Sequence, residues 1–256
     1  MQDRILLPHA DSREGGPLAV AVQDRDQVRA GDDLAIRPLA RGSDPTFRRL
    51  CDDGGRRRTF PARHVIFYQD DEASQFHVIV AGSVILYRVL DDGRRQIVEW
   101  LGQGDLLGLA SDGRHDCTAE AVVEADLCAF SRNHLEARPE MRSYVRDYLE
   151  RRVVRLHSHA VMLGAKSATE RVSTFLLSIL DETPSDDPGP KTVPDCDAHF
   201  ILPLTRQETA DYLGLTTETV SRVFSDLKRR GIISIEKHNN IRVTNVARLR
   251  SLSCFG

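Results

Sequence analysis

One stretch decides the fold of this chain, Arg206-Gln-Glu-Thr-Ala-Asp-Tyr-Leu-Gly-Leu-Thr-Thr-Glu-Thr-Val-Ser-Arg222. Its pattern predicts two short helices joined by a tight turn. Ala210 is a small residue where the helices would cross, and Gly214 can take the positive φ that a sharp turn needs. Val220 then returns an apolar side chain to the same small core. These offsets favour a helix-turn-helix over an ordinary αα-hairpin.

The same stretch carries signals for where each helix begins. Thr216 or Thr217 can cap the second helix, because a threonine oxygen accepts a hydrogen bond from a free backbone N–H of the first turn. Thr205 followed by Glu208 is a possible capping box for the first helix.

The outer face of the second helix is polar. Thr217, Glu218, Ser221 and Arg222 lie at spacings that share one side of a helix. An arginine there can bind O6 and N7 of guanine, and a glutamate can accept from N4 of cytosine. The face therefore predicts sequence-specific contact with double-stranded DNA.

A basic run and a short hairpin follow the second helix. The run is Lys228-Arg229-Arg230, and the predicted strands of the hairpin, a wing, are Ile232–Ile235 and Ile241–Val243. A charge run is usually only a solvated face, but beside a reading helix it favours contact with phosphates. The predicted DNA-binding residues are Arg206, Thr216, Thr217, Glu218, Ser221, Arg222, Lys228 and Arg229.

These residues resemble those of the CRP/FNR superfamily of transcription regulators. The cAMP-receptor branch has Arg-Glu-x-x-Gly-Arg on this helix, whereas this chain has Thr217-Glu218-x-x-Ser221-Arg222, the pattern of the FNR and FixK branches. The run Asp211–Thr216 is especially similar to FixK-type proteins. The resemblance covers roughly residues 60–250 and implies a homodimer that binds palindromes with half-sites resembling TTGAT. It further implies activation of genes for low-oxygen respiration, denitrification or nitrogen fixation.

Short strand patterns fill the chain from Arg63 onward. The predicted strands are Val65–Phe67, Phe76–Val80, Ser83–Tyr87, Gln96–Leu101, Thr118–Val123 and Ala125–Phe130. Asp92-Gly93 between two apolar runs is a strong hairpin signal. Many short strands at this spacing predict a sandwich or barrel. With the helix-turn-helix behind it, the barrel resembles the double-stranded β-helix (jelly-roll, cyclic-nucleotide-binding-like) sensor of the superfamily, in an α+β chain.

The loop Gly102–Gly108 bears on whether the barrel binds a cyclic nucleotide. In the sensors that it resembles, a Gly-Glu segment contacts the ribose and an Arg-Ser pair contacts the phosphate. Here Asp105 takes the Glu place, and Asp116 and Cys117 fall where Arg and Ser would be. A carboxylate facing a phosphate is repulsive. We therefore interpret the loop as a barrel turn.

A long helix is predicted from Pro139 to Leu163. Its apolar residues are spaced four and three apart, which is the seam of a coiled coil. The predicted dimerisation residues are Val145, Leu149, Val153, Leu156, Ala160 and Leu163. Dimerisation is favoured because a two-fold DNA site needs two recognition helices. The alternative is an amphipathic helix packed only on its own barrel.

Charge is unevenly distributed along the 256 residues. The formal net charge is −3, yet the segment from Leu204 to the C-terminus holds nine Lys or Arg and five Asp or Glu. A basic reading module on an acidic body fits local phosphate binding better than general binding to polyanions.

No cofactor or metal is predicted. The cysteines form no Cys-x-x-Cys, and the nine histidines show no metal-ligand spacing; the cysteines are Cys51, Cys117, Cys128, Cys196 and Cys254. The iron–sulfur members of the superfamily carry a cysteine cluster that this chain lacks. Two alternatives stay open, a member that senses nitric oxide through haem and a cyclic-nucleotide-binding regulator. We find no nucleophile–base pair or phosphate loop and expect no enzymatic activity.

The expected location is a reducing cytoplasm, because the cysteines suggest no disulfide framework. We expect no membrane association, since no apolar run approaches the roughly 20 residues of a membrane span and the N-terminus lacks the apolar core of a signal peptide.

The predicted organisation has four parts. Residues 1–46 form an extension without sustained periodicity, predicted to be disordered. A β-barrel sensor-like domain covers residues 47–136, the dimerisation helix 137–164 and the winged helix-turn-helix domain 165–256, with the helix-turn-helix at about 206–225. RNA polymerase is an expected partner, and the hairpin tip Asp91–Arg94 is its candidate contact by analogy.

Overall fold

The computed structural model of the protein describes residues 54–110, 112–181, 198–236 and 239–253. The predicted N-terminal extension, residues 1–46, lies outside the described residues. So do three of the five cysteines, Cys51, Cys196 and Cys254.

Eight strands form two four-stranded antiparallel sheets, which confirms the predicted jelly-roll sensor domain. The strands are β1 (Arg56–Phe60), β2 (Val65–Phe67), β3 (Gln75–Ala81), β4 (Val84–Val89), β5 (Arg95–Leu101), β6 (Leu106–Leu107), β7 (Thr118–Ala121) and β8 (Ala125–Ser131). The order is β1-β8-β3-β6 in one sheet and β2-β7-β4-β5 in the other. Aliphatic side chains such as Ile79, Leu101 and Leu127 fill the space between the sheets and are fully buried.

The predicted hairpin at Asp92-Gly93 joins β4 to β5. Gly93 has a φ of 81°, a value that suits glycine, and Leu90 N–H donates to the Arg94 carbonyl at 2.8 Å. Within the barrel, sequence reasoning missed two strands, β1 and β6. The first is rich in arginine, and the second has two residues inside the segment that we interpreted as a turn, so neither shows a strand periodicity.

The long helix α2 (Pro139–Ala165) follows a short helix, α1 (Arg132–Ala137). Pro139 stands in the first turn of α2, where its missing N–H costs no hydrogen bond. One side of α2 packs on the body of the protein, and its buried residues are Met141, Tyr144, Val145, Tyr148, Arg155, His159 and Met162. Two tyrosines on this side anchor the helix to the barrel, since Tyr144 Oη donates to the Gly104 carbonyl at 2.7 Å and Tyr148 Oη to the Leu106 carbonyl at 3.0 Å.

A buried ion pair joins α2 to the barrel turn. Arg155 Nη1 lies 2.9 Å from Asp105 Oδ1, and the other carboxylate oxygen accepts from Gly102 N–H at 2.9 Å. Asp105 is fully buried, and burial raises its pKa to about 6 even though Arg155 favours the ionised form. Glu99 lies 3.9 Å from Arg155 and also pairs with Arg152 on the same helix. Two arginines of α2 thus meet two carboxylates of the barrel.

The described residues of the C-terminal part form four helices and a small sheet. The elements are α3 (Ala168–Asp181), β9 (Ala198–Ile201), α4 (Arg206–Leu213), α5 (Thr217–Arg229), β10 (Ile233–Ile235), β11 (Asn240–Val243) and α6 (Val246–Ser253). The antiparallel sheet has the order β10-β11-β9, so the predicted wing gains a third strand from the segment before α4. The helix α6 packs on α3 and was not predicted.

One apolar cluster connects the barrel to the C-terminal helices. Ile97 and Trp100, on the outer side of β5, belong to the same buried cluster as Phe175 and Tyr212. The Phe175 ring lies 6.1 Å from that of Trp100 and 5.8 Å from that of Tyr212, centroid to centroid. The helix-turn-helix is therefore seated on the barrel and α3 through a shared core.

We expect Arg155→Met to lower the free energy of unfolding by about 3–5 kcal/mol near pH 8, because Asp105 would be buried without its cationic partner. The pKa of Asp105 in the native variant would then rise further above its unfolded value. Between these two pKa values the native state holds a proton that the unfolded chain releases, so stability is lost as the pH rises. The loss should shrink as the pH falls towards 4. Urea titrations across this pH range measure it.

The matched control is Arg146→Met, an exposed arginine of the same helix that forms an ion pair with exposed Asp147 and a hydrogen bond with Ser143. If Arg155→Met lowers the free energy of unfolding no more than this control does, the buried pair does not stabilise the fold. Adding Asp105→Asn to Arg155→Met should recover part of the loss at pH 8, since it removes the unpaired charge and keeps an acceptor for Gly102 N–H.

Candidate nucleic-acid interface

The turn between α4 and α5 has the geometry that the sequence predicts. Gly214 lies in the left-handed region with φ 59° and ψ 41°, and its N–H donates to the carbonyl of Ala210. Thr205 and Glu208 form the predicted capping box of α4, since each side chain accepts from the backbone N–H of the other residue. Thr216 is the residue that caps α5, accepting from Thr219 N–H at 3.2 Å.

The recognition helix α5 divides cleanly into a buried and an exposed side. Its buried residues are Val220, Val223, Phe224 and Leu227, which recur every three or four positions and face the shared core. The opposite side carries the predicted base-reading residues Glu218, Ser221 and Arg222, all exposed. An α-helix of this length fits the major groove of B-DNA.

Glu218 and Arg222 form an ion pair one helical turn apart. Arg222 Nη2 lies 2.8 Å from Glu218 Oε1, and the side chains are 72% and 77% exposed. An exposed pair of this kind contributes only a few tenths of a kcal/mol. The pair instead affects orientation, because it holds both side chains on the side of the helix that faces away from the protein.

The two threonines at the start of α5 have different environments. Thr216 is occupied in capping the helix. The Thr217 hydroxyl donates to Gln207 Oε1 of α4 at 2.5 Å, so this predicted DNA contact is already engaged by a neighbouring side chain. Sequence reasoning did not single out Gln207. It also missed Ser225, which is exposed one turn after Arg222 and could have been found from the helical spacing alone.

Among the predicted DNA-binding residues, Arg206 has the environment least expected for a DNA contact. Its guanidinium lies over the Phe224 ring, 3.9 Å from the centroid, and the side chain is half-buried. Burial lowers its pKa, and its Nη1 atom has no hydrogen-bond partner among the described residues. The stacking connects the first turn of α4 to the middle of α5, so Arg206 supports the recognition helix from behind. Its predicted contact with DNA stays a prediction.

The basic residues at the end of α5 differ in whether they form ion pairs. Arg229 and Arg230 both pair with Asp226, the latter at 2.8 Å. Among the described residues, Lys228 has no ion-pair partner and is exposed. Lys228 is therefore the more available of the two predicted phosphate contacts, Lys228 and Arg229.

The predicted dimerisation residues do not share one environment. Four of them, Leu149, Val153, Leu156 and Ala160, are exposed along the outer side of α2. Val145 is only 7% exposed, because it packs into the apolar cluster beneath the barrel together with Tyr148. Leu163 is partly buried against the C-terminal core.

The exposed part of the predicted seam runs over about three turns of α2, from Leu149 to Ala160. The seam itself stays a prediction. Val145 and Leu163 belong to the folded protomer, because their side chains turn inward at the two ends of that stretch.

Several of the possible effector positions in the barrel are engaged or buried, whereas Asp116 is exposed. Asp105 is engaged by Arg155. Burial raises the pKa of the Cys117 thiol to about 12 and lowers that of His77 to about 4. The His115 ring stacks on Phe67 with centroids 3.6 Å apart. Within the described ranges, no three His, Cys, Asp or Glu side chains come together in a way that could hold a metal ion.

Two domain families match the chain. Residues 57–138 match the cyclic nucleotide-binding domain, and residues 170–252 match the Crp-like helix-turn-helix domain. In the part of the chain that the structure describes, no helix has the length and apolarity of a membrane span.

Several relatives are similar over most of the chain. The nitrogen fixation regulation protein FixK of Bradyrhizobium diazoefficiens is 36% identical over 86% of this chain and 92% of its own length. The transcriptional activatory protein AadR of Rhodopseudomonas palustris is 33% identical over 75% of this chain and 78% of its own. The solved structure of FixK2 from Bradyrhizobium japonicum covers 79% of this chain and 99% of its own, with 31% identity and a TM-score of 0.67.

We expect Arg222→Ala to cost about 1–3 kcal/mol of binding per half-site and to relax the preference at one guanine, because a bidentate contact with a base edge is lost. Lys228→Ala should weaken binding to all sequences alike and flatten the salt dependence, since a phosphate contact carries no sequence information. A binding selection on randomised duplexes measures both profiles. Identical sequence profiles for the two variants would contradict the assignment of Arg222 to base reading.

Proposed function

The chain belongs to the CRP/FNR family of transcription regulators and is a DNA-binding transcriptional activator of the FixK/FNR type; from this premise we propose that it acts as a homodimer on TTGAT-type palindromes. We further propose that it works in the cytoplasm, catalyses no reaction and activates genes for low-oxygen respiration, denitrification or nitrogen fixation. The FixK relatives are named as nitrogen fixation regulators, which supports the last point.

The observation that carries the proposal is the exposed face of α5. Glu218 and Arg222 stand paired on it, with Ser221 between them in sequence. A carboxylate can accept from cytosine N4, and a guanidinium can donate to guanine O6 and N7. Adjacent acceptor and donor groups therefore suit a half-site that offers a G·C pair among A·T pairs, as TTGAT does.

The exposed apolar side of α2 supports the homodimer. Leu149, Val153 and Leu156 are 41%, 48% and 37% exposed in the single protomer. Fully burying a leucine or valine side chain contributes about 1.5–3 kcal/mol. A parallel pairing of two α2 helices would bury each of these side chains against its twin. It would also supply the second recognition helix that a palindrome requires.

The contact with RNA polymerase is proposed for the β4–β5 hairpin. Its tip, Asp91–Arg94, is exposed, and so are the apolar side chains of Val89 and Leu90 next to it. A mixed apolar and charged surface of this kind is typical of a protein contact.

We propose that the protein binds DNA without an effector. The turn Gly102–Gly108 carries no free carboxylate for a ribose, because Asp105 is paired with Arg155 and buried. The recognition face is meanwhile already exposed. A protein with no ligand to supply differential affinity must hold its binding-competent state unaided. Regulation would then act on the abundance or turnover of the protein.

We expect Leu156→Asp to cost several kcal/mol of dimer stability, because the charge would be buried without a partner at the centre of the seam. DNA affinity should fall with it, since a monomer holds one half-site. Light scattering at micromolar concentration measures the oligomeric state. The matched control is Val161→Asp, an exposed valine of the same helix outside the predicted seam. A mutant that remains dimeric would show that the seam is wrongly assigned.

The metal-free and nucleotide-free protein should bind the palindrome in air. The test is a titration of purified protein on the TTGAT-type palindrome with reductant, with and without cAMP. A tenfold or larger gain of affinity with cAMP would refute effector-free binding and favour the cyclic-nucleotide alternative. Binding seen only without oxygen would point instead to a cofactor, such as the haem of a nitric oxide sensor.

A further inference from the structure

A chain of three hydrogen bonds runs from the barrel to the recognition helix. Arg95 Nε on β5 donates to Asp211 Oδ2 on α4 at 2.8 Å. Gln207 Nε2 donates to the other oxygen of Asp211 at 2.6 Å, and Thr217 Oγ1 donates to Gln207 Oε1 at 2.5 Å. We call these four residues the relay.

The relay has a fixed direction. A carboxylate only accepts hydrogen bonds, so the amide of Gln207 must turn its nitrogen towards Asp211 and its oxygen towards Thr217. The Thr217 hydroxyl must then donate to that oxygen. Each member therefore orients the next, beginning at the guanidinium of Arg95.

The barrel end of the relay is held firmly. The Arg95 guanidinium lies over the Tyr87 ring, 5.0 Å from its centroid, and 3.7 Å from Glu120. The Asp211 side chain is 8% exposed, and the backbone carbonyl of the same residue accepts from Gln96 Nε2 at 2.6 Å. A carboxylate with both oxygens engaged in so little solvent has few other orientations.

The far end of the relay lies beside the base-reading face. Thr217 is the first residue of α5, directly before Glu218 and one turn before Ser221. The fold of α5 does not depend on the relay, because Thr216 caps the helix and the Arg206–Phe224 stack supports it. The relay instead restricts how the first turn of α5 can rotate relative to the barrel.

A second ion pair keeps the domains joined without the relay. Arg63 pairs with the buried carboxylate of Glu208 at the start of α4. The loss of Arg95 would therefore loosen one point of the contact and leave the shared apolar core and this pair in place.

We infer that Arg95, although it belongs to the sensor domain, is a positioning residue for DNA recognition that acts through Asp211, Gln207 and Thr217. The inference rests on the proposed binding to a palindrome. It deepens that function, because it assigns part of the specificity to a residue outside the helix-turn-helix.

The experiment compares Arg95→Ala with Arg94→Ala in the full chain. Arg94 is the adjacent hairpin arginine, is more exposed and pairs within the hairpin with Asp92. Fluorescence anisotropy with the TTGAT-type palindrome and with a scrambled duplex, each at several salt concentrations, gives the specific affinity, the non-specific affinity and the salt slope. Thermal unfolding of each variant is measured in parallel.

We expect Arg95→Ala to weaken specific binding about threefold to tenfold, the range typical of coupling through a network. Non-specific affinity and the salt slope should stay as in the wild type, because they depend on phosphate contacts. Arg94→Ala should change none of the three, because its proposed contact is with RNA polymerase, which this assay does not contain. If Arg95→Ala lowers the melting temperature by more than about 10 °C, Arg95→Met replaces it with the same expected loss of specific binding, since it keeps an apolar stem against Tyr87 and removes the donor to Asp211.

A double-mutant cycle with Thr217→Val tests whether the effect of Arg95 on DNA binding passes through the relay. Thr217→Val removes the last hydrogen bond of the relay, so Arg95→Ala should have little further effect in that background. Additive losses would overturn the inference, and so would wild-type binding by Arg95→Ala. A reduced salt slope for Arg95→Ala would also overturn it, because Arg95 would then contact a phosphate directly. Wild-type protein that does not bind the palindrome refutes the proposed function and this inference together.

Discussion

The buried pair between Arg155 and Asp105 sets the position of the long helix on the barrel. Both groups have left water, so the pair is stable only if each charge finds its partner in good geometry. Asp105 meets this condition with Arg155 on one oxygen and Gly102 N–H on the other. A slide of α2 by one turn would leave two charges buried without partners. The register between helix and barrel is therefore fixed, and with it the side of α2 that stays exposed.

The exposed side of α2 follows from that register. Because Arg155, Tyr148 and His159 face inward, the residues on the other side of the helix face outward, and these include Leu149, Val153 and Leu156. The same constraint places His159 under α4, where its ring lies 4.4 Å from that of Tyr212 and contacts the Tyr212 carbonyl at 2.9 Å. One helix thus connects the barrel turn, the proposed dimer seam and the DNA-binding domain. A change at any one of these places has a direct structural path to the other two.

The local structure of the DNA-binding domain depends on its own sequence, whereas its orientation depends on contacts with the barrel. Its caps, its glycine turn and its apolar stripe are all contained in residues 205–227. Its orientation depends on contacts with residues far away in sequence, such as Arg63 with Glu208 and Arg95 with Asp211. A unit whose local structure depends on its own sequence and whose orientation depends on its neighbours can be reoriented while its helices stay intact. This division is the structural basis for the inferred role of Arg95 in base recognition.

Some features of this protein were determined by the sequence alone. The positive φ of Gly214 and the alternation of buried and exposed residues along α5 depend on neighbours within a turn or two, so spacing was enough to predict them. Spacing also limited the cap of α5 to Thr216 or Thr217, and the structure selects Thr216. Other features were decided only by the tertiary structure. Val145 turns into the barrel core, Arg206 stacks on Phe224, and Arg95 meets Asp211 across 116 positions of sequence. No periodicity encodes such partners, because a hydrogen bond or an apolar contact depends on the distance in space, which the whole fold sets.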